Sequence, residues 1–283
     1  MTAGDATRAE TPPTGRLSGK VALVTGAGRM RSIGRAIAAE LARSGADVVL
    51  TGTSNSAQPR TDEERDSGWR DVESVAAEVR ELGTRAVTAV TDIADEDSVR
   101  NTLSTAFKEF GGVDILVNNA AAARAEDRVP VTDLDTDVWD RVLRINLRGT
   151  FLMSKHFARQ LVDQGHGGSI VNISSLAGKL GSANSSAYCA SKAAVQSLTS
   201  SMAQELGGEQ IRVNALCPGI ISTSRLDDLP QSTWAKIIAD RVPLGRAGSA
   251  HDVAAAVAFL TSDEGRWITG QSWNIDGGQL TIR

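Results

Sequence analysis

The chain has 283 residues, 41% of them hydrophobic and 23% charged, with a formal net charge of −4. That length carries one large domain or two small ones around a sizeable core. The negative balance excludes a broad cationic surface for nucleic acid or anionic lipid, and 4% aromatic residues leave little for base-stacking platforms.

In chain order, residues 1–16 are rich in Thr, Ala, Pro and Gly and lack the apolar centre of a secretory signal. They read as a disordered leader before a domain over 17–283. Lys20–Thr25 is a short apolar run closed by Gly26, a buried strand. Ile33–Ser44 has helical spacing (Ile33, Ile37, Leu41) and stops at Gly45. Asp47–Thr51 is a second strand. The polar stretch Asn55–Gly68 reads as an insertion, with Asp62, Glu63 and Glu64 on a solvated face. Trp69–Leu82 is helical, Arg85–Val90 a strand, Glu96–Phe110 a helix and Val113–Val117 a strand. Asp135–Gln164 reads as one long helix, Ser169–Ile173 as a strand, Ala187–Leu206 as a second long helix and Gln210–Leu216 as a strand. Ala250–Leu260 is helical and Gln271–Ile275 a final strand. Strands alternating with helices, several of them continuous apolar runs, predict an α/β fold. The form expected is a single doubly wound domain, a parallel sheet of about seven strands covered on both faces. No apolar run approaches the ~18 residues of a membrane span. Cys189 and Cys217 have no metal or disulfide spacing, and the three histidines are scattered. No metal site is expected, and free thiols suit a reducing, cytoplasmic compartment.

Two features carry chemistry. Thr25–Gly34, between the first strand and first helix, is a glycine turn whose backbone N–H groups and helix N-terminus suit a pyrophosphate. Its spacing is not G-x-G-x-x-G, because the third glycine position falls on Arg31. The sole tyrosine, Tyr188, stands four residues before Lys192, so phenol and ammonium share a helix face. A nearby cation lowers a phenol's pKa and fits it for proton transfer near neutral pH.

Together with Asp92-Ile93, Asn118-Asn119-Ala120-Ala121, Asn146, Ser174-Ser175, Pro218-Gly219 through Thr223 and Asp276-Gly277-Gly278, these motifs resemble, in order, those of the short-chain dehydrogenase/reductase family over about residues 17–280. The resemblance implies a Rossmann-type domain binding a nicotinamide dinucleotide. It assigns Tyr188 as proton donor or base and Lys192 to lowering the Tyr188 pKa and binding the nicotinamide ribose. Ser175 bonds the reacting oxygen, and Asn146 anchors a water that links Lys192 to solvent. Gly26, Gly28, Arg29, Arg31, Ser32, Ile33 and Gly34 of the first loop are assigned to cofactor binding. Asp92 and Ile93 flank the adenine, Asn119, Ala120 and Ala121 the adenosine ribose, and Pro218, Gly219, Ile221 and Thr223 the nicotinamide. Two positions depart from the family pattern. Five residues separate Gly26 from Ser32, which replaces the middle glycine, a spacing similar to that of bacterial enoyl-thioester reductases. Ala121 stands where Gly is commoner.

No acidic residue ends the second strand. Thr53 and Ser54 offer hydroxyls and Arg29 or Arg31 positive charge for a 2′-phosphate, so NADP(H) is favoured, with NAD(H) as the alternative. Residues 222–244 resemble the family's mobile substrate lid, with Trp234, Ile237 and Ile238 facing either substrate or the domain. The family also implies a homotetramer or homodimer through the two long helices. The expected activity is NADPH-dependent reduction of a small-molecule or acyl-thioester carbonyl, 3-oxoacyl thioesters included. The alternatives are an alcohol, polyol or steroid dehydrogenase, an enoyl reductase, against which Tyr-x3-Lys with Ser175 argues, and a non-catalytic dinucleotide sensor.

Overall fold

Every residue of Val21–Thr25 is buried, because this strand (β1) lies in the middle of a sheet covered on both faces. The computed structural model describes residues 15–53, 60–124, 126–227 and 230–281. The other strands are β2 (Asp47–Gly52), β3 (Ala86–Val90), β4 (Ile115–Asn118), β5 (Gly168–Ile173), β6 (Ile211–Pro218), β7 (Ile221–Ser222), β8 (Gly248–Ser249) and β9 (Ser272–Ile275). Seven form one parallel sheet in the order β3-β2-β1-β4-β5-β6-β9, and β7 pairs with β8 apart from it. In register, Thr25 faces Thr51 on one side, and Val24 faces Val117 on the other. The chain winds outward from β1 to β3, then returns to lay β4 on the opposite edge of β1. The reversal opens a crevice beyond the carboxyl ends of β1 and β4, where doubly wound folds bind ligands.

The helices are α1 (Ile33–Arg43), α2 (Asp62–Asp66), α3 (Val72–Glu81), α4 (Glu96–Phe110), α5 (Thr136–Leu143), α6 (Thr150–Gln164), α7 (Ala177–Leu180), α8 (Ser186–Leu206), α9 (Gln231–Arg241) and α10 (Ala250–Thr261). Alternate residues of β1 feed two cores, as the two-residue period of a strand requires. Ala22 and Val24 pack with Ile37 and Leu41 of α1 and Val253 and Val257 of α10. Leu23 packs on the other face with Leu103 of α4 and Met153 and Phe157 of α6.

Three elements differ from the sequence reading. The rod expected over 135–164 is α5 and α6 joined by a π-helical turn, Arg144–Gly149. Hydropathy spacing does not register such a wide turn, and π turns concentrate at functional sites. Its last residue, Gly149, sits where an added Cβ would come within 2.7 Å of Ile93. The segment read as a polar insertion contains α2, closed at its start by a capping box in which Thr61 and Glu64 satisfy each other's backbone N–H. Glu64 is 2% exposed, so the solvated-face reading fails there, though it holds for Asp62 and Glu63. The helix expected from Trp69 begins at Val72, and Trp69 is buried below the first loop. The expected leader lies outside the described residues except Gly15 and Arg16, which are already tied down. Gly15 N–H donates to Ser18 Oγ (2.8 Å), and Arg16 pairs with Glu264 (2.9 Å).

Phe157 is fully buried on the α6 face, so Phe157→Ala removes a ring from a packed core. The expected cost is about 3–5 kcal/mol, lowering the melting temperature by roughly 6–20 °C. Scanning calorimetry checks this, and a shift of a degree or two would contradict the packing described.

Candidate active site

A cavity of about 600 Å³ runs along the carboxyl edge of the sheet, from Thr53 and Asp71, past the first loop, to Tyr188, Lys192 and the segment after β6. Gly26 opens it with φ +67, and a Cβ there would lie 2.6 Å from the Ala120 backbone. Gly34 is equally constrained, since its Cβ would meet Asn119 Nδ2 at 2.6 Å. Glycine is required because loop and β4 approach backbone to backbone. Ser32 is the N-cap of α1: its Oγ accepts from Arg35 N–H (3.2 Å) and donates to the Arg29 carbonyl (2.8 Å). The first turn of α1 holds no acidic residue and is aimed at the cavity, an arrangement that suits a phosphate.

The longer loop is propped from below by residues the sequence reading did not select. Glu64 accepts from Met30 N–H (2.9 Å) and Thr61 N–H (3.0 Å) and pairs with Arg29 (2.9 Å). Burial raises the Glu64 pKa, but the backbone donors and Arg29 outweigh it and hold the carboxyl below its ordinary value. Trp69 Nε1 donates to the Gly28 carbonyl (2.6 Å), and Arg35, paired to Glu78, donates to the Met30 carbonyl (2.7 Å). Arg31 pairs with Glu63 and Asp227. Both loop arginines assigned to phosphate are therefore engaged by carboxylates. Thr53 lines the cavity, whereas Ser54 lies outside the described residues.

The residues expected to flank the adenosine, Asp92, Ile93, Asn119, Ala120 and Ala121, line the cavity together with Thr91. The Asn119 amide is occupied in bracing the loop: Nδ2 donates to the Thr25 and Gly26 carbonyls (2.9 and 3.0 Å). Asp92 accepts from Ala94 N–H (2.9 Å) and lies 3.7 Å from Arg144.

At the other end, α8 carries Tyr188 and Lys192 one turn apart. Lys192 is 4% exposed, and its Nζ donates to the Ile173 carbonyl at the end of β5 (2.8 Å). Its ammonium lies 5.9 Å from the Tyr188 ring centre. Burial lowers the Lys192 pKa, Tyr188 opposes this, and the net direction is down. Burial by itself raises the Tyr188 pKa. Lys192, Arg225, a hydrogen bond from Ser175 and Arg128 together bring it below the ordinary value of 10.0. Ser175 is fixed by the Ala177 N–H, which donates to its Oγ (3.1 Å). Asn146, in the π turn, is buried. Its Oδ1 accepts from Ala122 N–H (2.7 Å) and its Nδ2 donates to Ser191 Oγ (3.0 Å), which ties α8 to the end of β4. The side chain expected to anchor a water is thus engaged with protein. Pro218, Gly219, Ile221 and Thr223 all line this end. In the lid segment, Ser224 N–H donates to the Arg31 carbonyl (3.1 Å), and Trp234, half-buried, donates to Leu226 O (2.8 Å) while lining the cavity.

The residues assigned from the sequence that fall within the described segments line one cavity, apart from Gly34 and Asn146, which stand behind its wall. The extended cavity, the glycine approach and the open helix N-terminus fit a dinucleotide. Glu64, Trp69 and Asp71 were missed, as were Arg124, Arg128 and Arg225. The only sequence signal for the first three was the unexplained segment after β2. Among the described residues no group of three or more His, Cys, Asp or Glu is placed to hold a metal, and no helix is long and apolar enough to cross a membrane.

The model of the Enoyl-(Acyl carrier protein) reductase family matches residues 26–279. The chain is 40% identical to the cis-4-hydroxycyclohexanecarboxylate dehydrogenase of Sinomonas cyclohexanicum, covering 93% of this chain and 97% of that one. It is 35% identical to the 3-oxoacyl-(acyl-carrier-protein) reductase of Thermotoga maritima, covering 93% and 98%. The crystal structure of carveol dehydrogenase from Mycobacterium avium in complex with NAD superposes with a TM-score of 0.83 at 33% identity, covering 94% and 99%.

Glu64→Ala leaves the Met30 N–H without its acceptor and removes the carboxylate that pairs with Arg29. An unsatisfied buried donor costs about 1–3 kcal/mol, so dinucleotide affinity is expected to fall by roughly 10-fold. Fluorescence titration measures it. An unchanged Kd would show that Glu64 does not support the loop. Because the Glu64 pKa is depressed on folding, its contribution is complete above the ordinary value of 4.5 and fades as pH falls below it.

Proposed function

Since the chain belongs to the short-chain dehydrogenase/reductase family, we propose that it interconverts a secondary alcohol and its carbonyl, with Tyr188 moving the proton. The observation that carries this is the phenol held between the Ser175 hydroxyl and the buried Lys192 ammonium at the cavity edge. A bound nicotinamide dinucleotide supplies or accepts the hydride. The α1 N-terminus and loop residues 26–34 would hold its phosphates, and Pro218 to Thr223 its nicotinamide end. In oxidation Tyr188 as phenolate takes the alcohol proton, and in reduction the phenol gives it back. Ser175 donates to the reacting oxygen as negative charge gathers there. Lys192 stabilises the phenolate throughout. Asn146 fixes α8, hence the Tyr188–Lys192 pair, against β4.

The residues at the ribose end support NAD(H) over the NADP(H) favoured from the sequence. Arg29 and Arg31 face Glu64, Glu63 and Asp227, and Asp71, whose Oδ2 pairs with Arg60 (3.3 Å), lines the cavity as Thr53 does. Asp71 has φ +49, a conformation that costs about 1–3 kcal/mol for a non-glycine residue and collects at functional sites. An added Cβ on Gly28 would lie 3.2 Å from the Asp71 Cβ, so the residue is pressed against the phosphate loop. A carboxylate there accepts from ribose hydroxyls and repels a 2′-phosphate. The NAD complex of the carveol dehydrogenase neighbour is consistent with this.

On the substrate side, we read a small alcohol and its ketone, supported by the 40% identical relative, which is named a dehydrogenase of cis-4-hydroxycyclohexanecarboxylate. Reduction of a 3-oxoacyl thioester is the second reading, supported by the 35% identical reductase. The Ser175–Tyr188–Lys192 grouping suits carbonyl chemistry better than reduction of an enoyl bond, despite the family model's description.

Tyr188→Phe removes the ionisable oxygen, and no other tyrosine replaces it. The expected loss in kcat is at least ~100-fold, the low end of what a positioned acid–base contributes, with dinucleotide binding retained. Steady-state kinetics beside a binding titration test this, and near-full activity would refute the assignment. Oxidation needs phenolate, so its rate rises with pH along a limb below 10, the ordinary phenol value. Lys192→Met removes the largest of the lowering influences and moves that limb to higher pH in a kcat/KM profile.

With wild-type protein, kcat/KM for NADH is expected to exceed that for NADPH by about 10-fold or more, equivalent to ~1.4 kcal/mol. Asp71→Ser narrows the gap. Preference for NADPH, untouched by Asp71→Ser, would restore the NADP(H) reading.

A further inference from the structure

Three arginines crowd the substrate end of the cavity, and the proton-transfer chemistry above asks of Arg128 and Arg225 only that they lower the phenol's pKa. The Arg128 guanidinium carbon lies 5.0 Å from the Tyr188 ring centre and that of Arg225 lies 5.9 Å from it. Arg124 joins them, with Nη1 3.5 Å from the Arg225 carbonyl. Arg225 Nη2 donates to the Ala122 carbonyl (2.9 Å), and Arg128 Nη1 donates to Ser185 Oγ, both neutral acceptors. Arg128 Nε is buried without a hydrogen-bond acceptor among the described residues, and its nearest carboxylate oxygen, on Asp127, is 3.7 Å away. Among the described residues no carboxylate lies within ion-pair distance of Arg225. Lys192 adds a fourth cation behind the ring.

Like charges drawn together and partly desolvated repel one another, and such an arrangement is stabilised when an anion enters. Burial lowers the Arg128 pKa, the Asp127 carboxylate 3.7 Å away and Tyr188 oppose this, Arg124 and Arg225 add to it, and the net direction is down. The cations surround the phenol that meets the reacting oxygen, so the anion belongs to the molecule that reacts. The phosphates of the dinucleotide have their own place at the α1 N-terminus. A carboxylate matches the forked geometry of guanidinium donors.

We propose that the substrate carries a carboxylate, which Arg128 and Arg225 bind beside Tyr188, making the chain a dehydrogenase of hydroxy acids and their oxo acids. The inference rests on the alcohol–carbonyl reading above. In reduction the carbonyl carbon gains the hydride of the nicotinamide and its oxygen gains the Tyr188 proton, while the carboxylate passes through unchanged. Arg124 adds to the positive potential.

The test uses acid and ester pairs with the protein loaded with NAD(H): 3-oxobutanoate, 4-oxopentanoate and 5-oxohexanoate, each against its methyl ester. Turnover is followed by NADH absorbance, and binding is followed in parallel by calorimetry on the NAD complex. The expected result is that at least one acid exceeds its ester by roughly 10- to 100-fold in kcat/KM or affinity, the worth of charge-assisted hydrogen bonds. Arg128→Met and Arg225→Met should each lower that ratio, and the double variant should bring it close to one. Misfolding lowers acid and ester together and leaves the ratio intact, so the ratio separates binding from damage. Acids and esters bound and turned over alike by the wild type would overturn the proposal. So would a ratio that survives in the double variant, or variants that shift only the pH profile (a role confined to tuning the phenol) or only the dinucleotide Kd. Binding selective for the acids without turnover of either partner would instead count against the redox reading and leave the anion site standing.

Discussion

A lysine ammonium with 4% exposure must find compensation inside the protein, and the site is built around that requirement. Lys192 finds it in the Ile173 carbonyl and in the neighbouring phenol. The backbone contact fixes Nζ at the end of β5, and α8 sets Tyr188 one turn away. Ionisation of the phenol is then the favourable response to the trapped charge, since a phenolate beside an ammonium in a poorly solvated place is stabilised far more than in water. Arg225 and Arg128 act in the same direction, and Ser175 sharpens it with a hydrogen bond. The buried cation explains why a tyrosine, ordinarily a weak acid, is suited to exchange protons here.

Holding that pair in place falls to the sheet. Parallel order with a reversal between β1 and β4 brings the ends of β1, β4, β5 and β6 to one edge. The loops leaving those ends supply the glycine turn, Asn119, Ser175 and the Pro218–Thr223 segment. Asn146 links two of these regions from within the π turn, with Ala122 on one side and Ser191 on the other. Widening the helix by one π turn offers a side chain to both partners, which explains why the irregularity occurs at this point of an otherwise regular rod.

The phosphate loop shows how an added segment is incorporated. Between Gly26 and Ser32 the backbone makes a longer excursion, leaving the Met30 N–H and the Gly28 and Met30 carbonyls without strand or helix partners. Glu64, Trp69 and Arg35 provide them. The same segment places Asp71 in the cavity wall beside the loop, so loop length and this end of the cavity are coupled through one stretch of chain after β2. That segment is also where a carboxylate run resembles a solvated face until it folds beneath the loop.

The sequence by itself determined what depends on neighbours in the chain. Two- and 3.6-residue periods marked the strands and helices, alternation marked the parallel α/β architecture, and Tyr188 with Lys192 a turn apart marked the chemistry, because local spacing maps onto local geometry. The ordered motifs placed the remaining cavity residues through their resemblance to a family. Tertiary structure alone decided which charges meet. Arg29 lies 35 residues from Glu64, and Arg128 lies 97 residues from Arg225. These residues sit largely in loops with no period to read. Whether each faces solvent, a carboxylate or a phenol depends on where the sheet edge brings the loops together, and Coulomb interactions act on distance in space rather than on separation along the chain.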